Sequence, residues 1–451
     1  MGAEDDAEPY RALVLEGERI AENRKRIAQA ILTGGRKRRQ VVDHVSKHLE
    51  IKRQYWGVDA VVDGAGAVLA LKKDPQYDDA VFCERFRMSE FLFSSIHTDI
   101  QNPETGNEYF MGLKDAVGRV GPSSLQRMVS VVRQLAYGSG SDSETEYTGV
   151  EKDLGRHCLY GFCQFVVRFY GPTFLNKWDK TEMEKEMAVN AARGFPGMLG
   201  SIDCQHWRWK NCPVGLQGVY QDRNEVRSIV AEAIAGHDMY IYQAYVGLPG
   251  CLNDLNILSR TDTQKKYMRS YAIRHRFKLG ATTYKGAYFL ADGIYPKWAW
   301  FVKTIPLPVT RKQRFFAKKQ EGVRKDVERA FGRLHSKWHI LKNPGRCHKV
   351  KYLKIIWLCC ISLHNMTIRD QQTAALEMAE DYVSEDEEAA EEAGEVEPVV
   401  YQGPPGLGPQ EQMRDEAFFA DNTYEGILAK RLQMENREVC RLMHLSLQEH
   451  V

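Results

Sequence analysis

Two short apolar runs in this chain each end on an aspartate, and that arrangement constrains the fold more than any other feature. Phe195-Pro-Gly-Met-Leu-Gly-Ser-Ile202 leads into Asp203, and Gly286-Ala-Tyr-Phe-Leu-Ala291 leads into Asp292. Runs of this length, bounded by glycine, predict buried strands, which place each carboxylate at a strand end. Glu328 follows about 36 positions after Asp292, in a stretch with helical spacing. Between Asp203 and Asp292, Asp254 closes the turn-rich loop Gly247-Leu-Pro-Gly-Cys-Leu-Asn-Asp254. Carboxylates at strand ends and on a facing helix offer hard oxygens to a pair of divalent cations, and such a pair can cut a phosphodiester.

The chain has 451 residues, more than one ordinary domain holds, and 43% are hydrophobic, enough for a substantial core. No apolar run reaches the length of a membrane span. The start Met-Gly-Ala-Glu-Asp-Asp has no signal-peptide pattern, and Asp6 stands where myristoylation wants Ser or Thr. The ten cysteines form no CxxC pair and read as buried thiols in a reducing compartment. Cys204, His206 and Cys212 could be taken for zinc ligands, but no second knuckle follows. Residues 377–398 carry eleven acids and no bases, so a net charge of +2 leaves +13 on the rest of the chain, since +2 minus −11 is +13. A basic body with an acidic tail suits a polyanionic partner.

Five segments follow from pattern. Residues 1–80 read as a basic helical or irregular leader. Within it, Ile20–Leu32 has helical apolar spacing, and the compact run Gly35-Arg-Lys-Arg-Arg39 suits a nuclear-import signal, a phosphate contact or a charged helix start. Residues 81–195 read as helical. Ser89 is a candidate N-cap, and Leu125–Tyr137 and Leu154–Tyr170 repeat apolar residues at helical spacing. Two helices around the turn at 138–142 fit either a helix-turn-helix that binds DNA or a plain packing unit.

Residues 196–370 change to strands. Met198–Asp203, Ser228–Ala235, Met239–Val246 and Ala287–Ala291 are candidates, with Gly236-His-Asp238 as a hairpin turn between the second and third. A helical connection is expected from Asn256 to about Tyr271, and a buried helix over Leu353–Ile368. Strands, helix, strand and helix in this order predict an α/β fold with an RNase H-like core. Residues 371–411 read as an acidic disordered linker, including the flexible Gly403–Pro409 stretch. Residues 412–451 read as a terminal helix that either docks on the core or pairs two copies as a homodimer.

In physical terms, Asp203 on a central strand would bridge both ions, Asp292 would hold one, and Glu328 would complete the other. Asp254 would supply a further oxygen or an outer contact. Val323, Val327, Ala330, Phe331, Leu334 and Trp338 give the Glu328 helix an apolar face, and Glu328 lies at its edge. Arg324, four residues earlier, is also placed for an ordinary helical ion pair with it. Arg311, Lys312, Arg314, Lys318, Lys319, Arg324 and Lys325 are candidate DNA contacts, with Lys297 and Lys303 nearby. Trp298, Trp300, Phe301, Phe315 and Phe316 are interleaved with these cations and suit core packing or base stacking.

The blocks GSIDCQHWRWKNCP, GLPGCLNDLNIL, YFLADGIYP, DVERAFGRLHSKW and LHNMTIRD, in this order, resemble the PIF/Harbinger superfamily of DDE transposases, closest to its plant transposon protein branch. The resemblance spans about Phe86–Asp370. It implies a Mg²⁺- or Mn²⁺-dependent nuclease that excises and inserts transposon DNA. Its acids fall on Asp203, Asp254, Asp292 and Glu328, and its preceding arginine on Arg324. His335 stands where the family commonly has a basic residue, seven positions after the glutamate. The resemblance also implies terminal-repeat DNA as substrate, a separate Myb-like DNA-binding partner and work in the nucleus. The alternative is a domesticated relative that binds or assembles on DNA without cutting it.

Overall fold

The structure is a computed structural model describing residues 44–56, 59–62, 68–72, 75–111, 121–175, 179–386 and 436–450. The Ile20–Leu32 pattern, the basic run at 35–39 and the Gly403–Pro409 stretch lie outside these residues. The fold is mixed α/β, built on a five-stranded mixed sheet.

That sheet contains β3 (Met198–Arg208), β4 (Ser228–Ala235), β5 (Ile241–Pro249), β8 (Tyr288–Leu290) and β9 (Phe301–Val302), in the order β5-β4-β3-β8-β9. β3, β4 and β5 form an antiparallel meander, while β8 and β9 lie parallel to β3 and to each other. β4 is buried at every position, as expected of an interior strand rich in Ile, Val and Ala. The hairpin turn at 236–238 is present, with the Gly236 amide donating to the Tyr240 carbonyl. Gly200 is needed in β3: its φ is 147°, and a Cβ there would meet the Ala235 carbonyl oxygen at 2.6 Å.

Two hairpins and a short strand escape the sequence reading. β1 (Asp59–Val62) pairs with β2 (Val68–Lys72) in the stretch read as helical or irregular. β6 (Arg276–Leu279) pairs with β7 (Thr282–Lys285) before β8. β9 has two residues, too few for any periodicity.

The helices are α1 (His44–Trp56), α2 (Asp79–Phe86), α3 (Glu90–Ile100), α4 (Ser124–Tyr137), α5 (Lys152–Phe169), α6 (Lys180–Ala192), α7 (Asp254–Arg260), α8 (Thr263–Arg269), α9 (Arg311–Lys337), α10 (Val350–Asp386) and α11 (Arg437–His450). Single helical turns punctuate the connections. The Ser89 side chain caps α3 by accepting from the Leu92 amide, and Ser123 with Gln126 forms a capping box on α4. α4 is buried over almost its whole length. It is joined to α5 by residues 138–151, longer than the turn of about 3–4 residues in a helix-turn-helix. One continuous core runs from α4 and α5 through β4 to α10, joined by Phe162, Val129, Ala233 and Trp357.

α9 starts at Arg311, so the basic stretch is itself the first half of the helix carrying Glu328. Its predicted apolar face, from Val323 to Trp338, is buried. α10 continues to Asp386, past the boundary read at residue 370, and carries the first acids of the tail in helix. α11 docks on the core: Met443 and Leu447 are buried with Phe316 of α9 and Phe277 of β6.

Candidate metal centre

β3 and β8 run parallel, with Ser201 opposite Leu290. Asp203 and Asp292 each lie two residues beyond that last matched pair. Two residues is one full side-chain repeat of a strand, so the two positions fall in register on neighbouring chains. Sequence reading placed an acid at each strand end; Asp292 does follow β8, but β3 continues to Arg208, so Asp203 lies within its strand, opposite Ala233 of β4.

α9 brings the third acid. Three side chains fix it, two of them between the helix and the sheet and the third at the end of α6. The Gln320 amide donates to the Ala291 carbonyl at 3.4 Å and the Val302 carbonyl at 3.1 Å. The Ser201 hydroxyl donates to the Val323 carbonyl at 3.4 Å. Arg193 pairs with the buried Asp326 at 2.6 Å. One turn past Gln320 stands Arg324. Its guanidinium reaches Glu328 at 2.7 Å and Asp203 at 3.6 Å, so carboxylates from a strand and a helix converge on one cation.

Asp254 caps the group from the start of α7. It lines a cleft of about 440 Å³ with Asp292, His206, Asp222, Arg223 and Ile294. Asp203 is pushed up to about 6, mainly by burial, with the charges of Asp254 and Glu328 adding to the rise; the Cys204 amide and Arg324 oppose it. Asp254 is also raised, first by burial and then by the charge of Asp292. The four acids therefore form one electrostatic group, with Asp203 coupled to Asp254 and Glu328, and Asp254 coupled to Asp292. Glu328 and Asp292 are exposed.

No three of the four acids bring their oxygens within 4.8 Å of one another. Two ions spaced about 3.5–4 Å apart need a wider cage than one ion does, because different carboxylates serve different ions. Among the described residues, the tighter cluster is Glu186, His237 and Asp238. Its oxygens are already engaged. Glu186 accepts from the His237 amide and ring at 2.8 Å each, from Asn190 at 3.0 Å and from Tyr242 at 3.3 Å. Asp238 accepts from the Tyr240 amide at 2.9 Å and from Gln372 at 3.0 Å. This cluster clamps the β4–β5 turn to α6 and α10. The Cys204, His206 and Cys212 set does not gather: the His206 ring faces the Ser228 hydroxyl at 2.9 Å, while the Cys204 thiol meets the Tyr295 hydroxyl at 3.5 Å.

The candidate DNA contacts divide. Arg311, Arg314, Lys318 and Lys325 are exposed along α9. Lys312 pairs with Glu449 of α11, and Lys319 lies 5.9 Å over the Phe315 ring. Arg324 belongs to the acids. Trp300, Phe301 and Phe316 are core residues, and Phe315 is 55% exposed, free to meet a ligand. His335 points toward Trp357, 6.3 Å between rings, and burial lowers its affinity for a proton.

Sequence reading missed three residues here. His206 was weighed only for zinc, yet it lines the acidic cleft. Arg223 opposes the rise on Asp254. Glu232, paired with Cys204 across β3 and β4, is a further, buried carboxylate whose proton affinity Asp254 raises. No local pattern marks these residues; strand pairing brings them in.

Residues 172–375 match the model of a family described as plant transposon protein. This is the branch that the five sequence blocks resemble, and the match contains all four acids. No curated protein and no solved structure matches the chain.

Proposed function

With a plant transposon protein domain over residues 172–375 as its frame, we propose that the chain is a DDE-type DNA endonuclease that cuts and joins phosphodiesters at transposon ends with divalent metal. One observation carries this reading. Asp203 within β3 and Asp292 just past β8 each lie two residues beyond the last matched pair of the two parallel strands, and Arg324 ties Asp203 to Glu328. The strand order, a three-stranded meander followed by two parallel strands, supports an RNase H-like core.

The donor set fits Mg²⁺ or Mn²⁺: four carboxylates, all hard oxygens, with mutual repulsion that only a cation relieves. Asp203, central and half-buried, would serve both ions. Asp292 and Asp254 would hold the side facing the cleft, and Glu328 the side facing α9. Arg324 now stands between Asp203 and Glu328, where its charge offsets theirs. With metal bound, the same guanidinium is placed to turn to a phosphate oxygen of the substrate. Bound metal would supply Lewis acidity and a deprotonated nucleophile at neutral pH. Exposed cations along the first half of α9 would hold the strand leading to the acids. A DNA substrate puts the work in the nucleus, and a Myb-like partner would supply sequence recognition.

The test is nicking of supercoiled plasmid by the full chain. Nicking should require Mg²⁺ or Mn²⁺ and stop with chelator. Asp203→Asn and Glu328→Gln should abolish it while leaving duplex binding intact. Equal turnover by these variants rejects the site. Tight binding with no cutting by the unaltered chain points to the domesticated reading.

A further inference from the structure

A second cleft, of about 670 Å³, lies between the α4–α5 connection and the loop joining α9 to α10, and it shares no lining residue with the acidic one. Lys152 and Arg156 rim it from one face of α5, one turn apart. Arg346 and Lys349 rim it from the loop, and all four are exposed. The only carboxylate in the lining is Asp142. Arg156 spends part of its charge on Asp153 at 3.0 Å, but Lys152, Arg346 and Lys349 have no carboxylate partner among the described residues. Four fixed positive charges against one negative, in a concave surface, attract a polyanion.

The floor is apolar and aromatic: Tyr160 and Tyr352 stack with ring centres 4.2 Å apart. Trp207 also lines the cleft. It lies on β3, four residues beyond Asp203 and on the same face, which sets it about 13 Å along the strand. That is roughly four nucleotide steps at about 3.4 Å each.

We propose that this cleft is a DNA-backbone site that holds the flank of the substrate about four nucleotides from the cutting point, so that it contributes affinity and not chemistry. The proposal rests on the nuclease reading for its substrate class. The cations would neutralise phosphates of one strand, and the apolar floor would seat the sugar face of the same strand.

The experiment measures binding of a fluorescent duplex by the full chain and by Lys152→Ala/Arg156→Ala and Arg346→Ala/Lys349→Ala, over a range of salt. Each double variant should bind at least about tenfold more weakly, and its salt slope should fall by about 2, one for each phosphate no longer neutralised. Plasmid nicking at saturating DNA should keep its rate. As a second measure, Lys152 and Lys349 of the unaltered chain should be protected from acetylation by duplex. Variants that bind as tightly as the unaltered chain, with the same slope and no protection, overturn the cleft proposal while the nuclease reading stands. An unaltered chain that binds no duplex overturns both.

Discussion

At the scale of single residues, the unusual groups around the acids are a cation shared by two carboxylates and a carboxylate buried in the sheet. Arg324 is the cation. Glu232 is the acid, 2% exposed on β4, accepting hydrogen bonds from Thr263 and, at 3.1 Å, Thr261. Burial pushes it up to about 7, against the pull of both threonines and with Asp254 adding to the rise. The sign of the linkage follows. The unfolded chain loses this proton near pH 4.5, whereas the folded chain holds it to about 7. Stability therefore falls as pH rises through that window and is flat above it, by at most about 3 kcal/mol from one carboxylate. Glu232→Gln keeps the shape and removes the charge. It should raise the melting temperature at pH 8 and change it little at pH 4. A gain of equal size at both pH values would mean that Glu232 is not charged in the fold.

At the scale of elements, the sequence block LHNMTIRD shows what a segment can reveal and what it hides. Its apolar spacing announces a buried helix, and α10 is one. Its purpose lies in Asn365, which no periodicity singles out. This side chain accepts from the Ile241 amide at 3.0 Å and donates to the Ile241 carbonyl at 2.8 Å and the Phe174 carbonyl at 2.7 Å. It thus acts as a further strand beside the first residue of β5. Asn365→Leu would leave those buried backbone groups without partners, at a cost of about 3–5 kcal/mol. A fall in the urea midpoint together with faster exchange of the Ile241 amide would show it; unchanged exchange would mean that α10 does not hold the strand. The same contrast explains which elements could be read. β4, β5, α4, α5 and α9 each contain enough turns or alternations to show their period. β9 has two residues, β6 has four, and β7 buries only Tyr284 of its four, so each is too short to show a period. Asp254, Asp292 and Glu328 could be found because each starts, follows or edges a recognisable element, and Asp203 because it follows the apolar first half of β3. The second cleft could not, because Lys152 and Lys349 are brought together only by the packing of α5 beside the start of α10.

At the scale of the whole molecule, the end of the chain returns to the helix that carries Glu328. α11 buries Cys440, Met443 and Leu447. Tyr284 of β7 meets the Ser446 hydroxyl at 2.7 Å, and the Lys303 amide faces the His444 ring at 3.4 Å. Glu449 pairs with Lys312 near the start of α9. α11 thus covers the first half of α9 and the edge of β9, the surfaces that hold Gln320 and therefore set the distance from Glu328 to Asp292. Three buried apolar side chains contribute roughly 4–6 kcal/mol as an upper figure. Ending the chain at residue 435 should lower the melting temperature and uncover Phe316 and Phe277, increasing dye binding to exposed apolar surface. Because α11 supports α9 from behind, nicking should fall more than duplex binding, whose cations face outward along the same helix. Adding a peptide of residues 436–450 in trans should restore part of both stability and nicking. A truncated chain that melts and cuts like the full one would show that α11 plays no part in placing the acids.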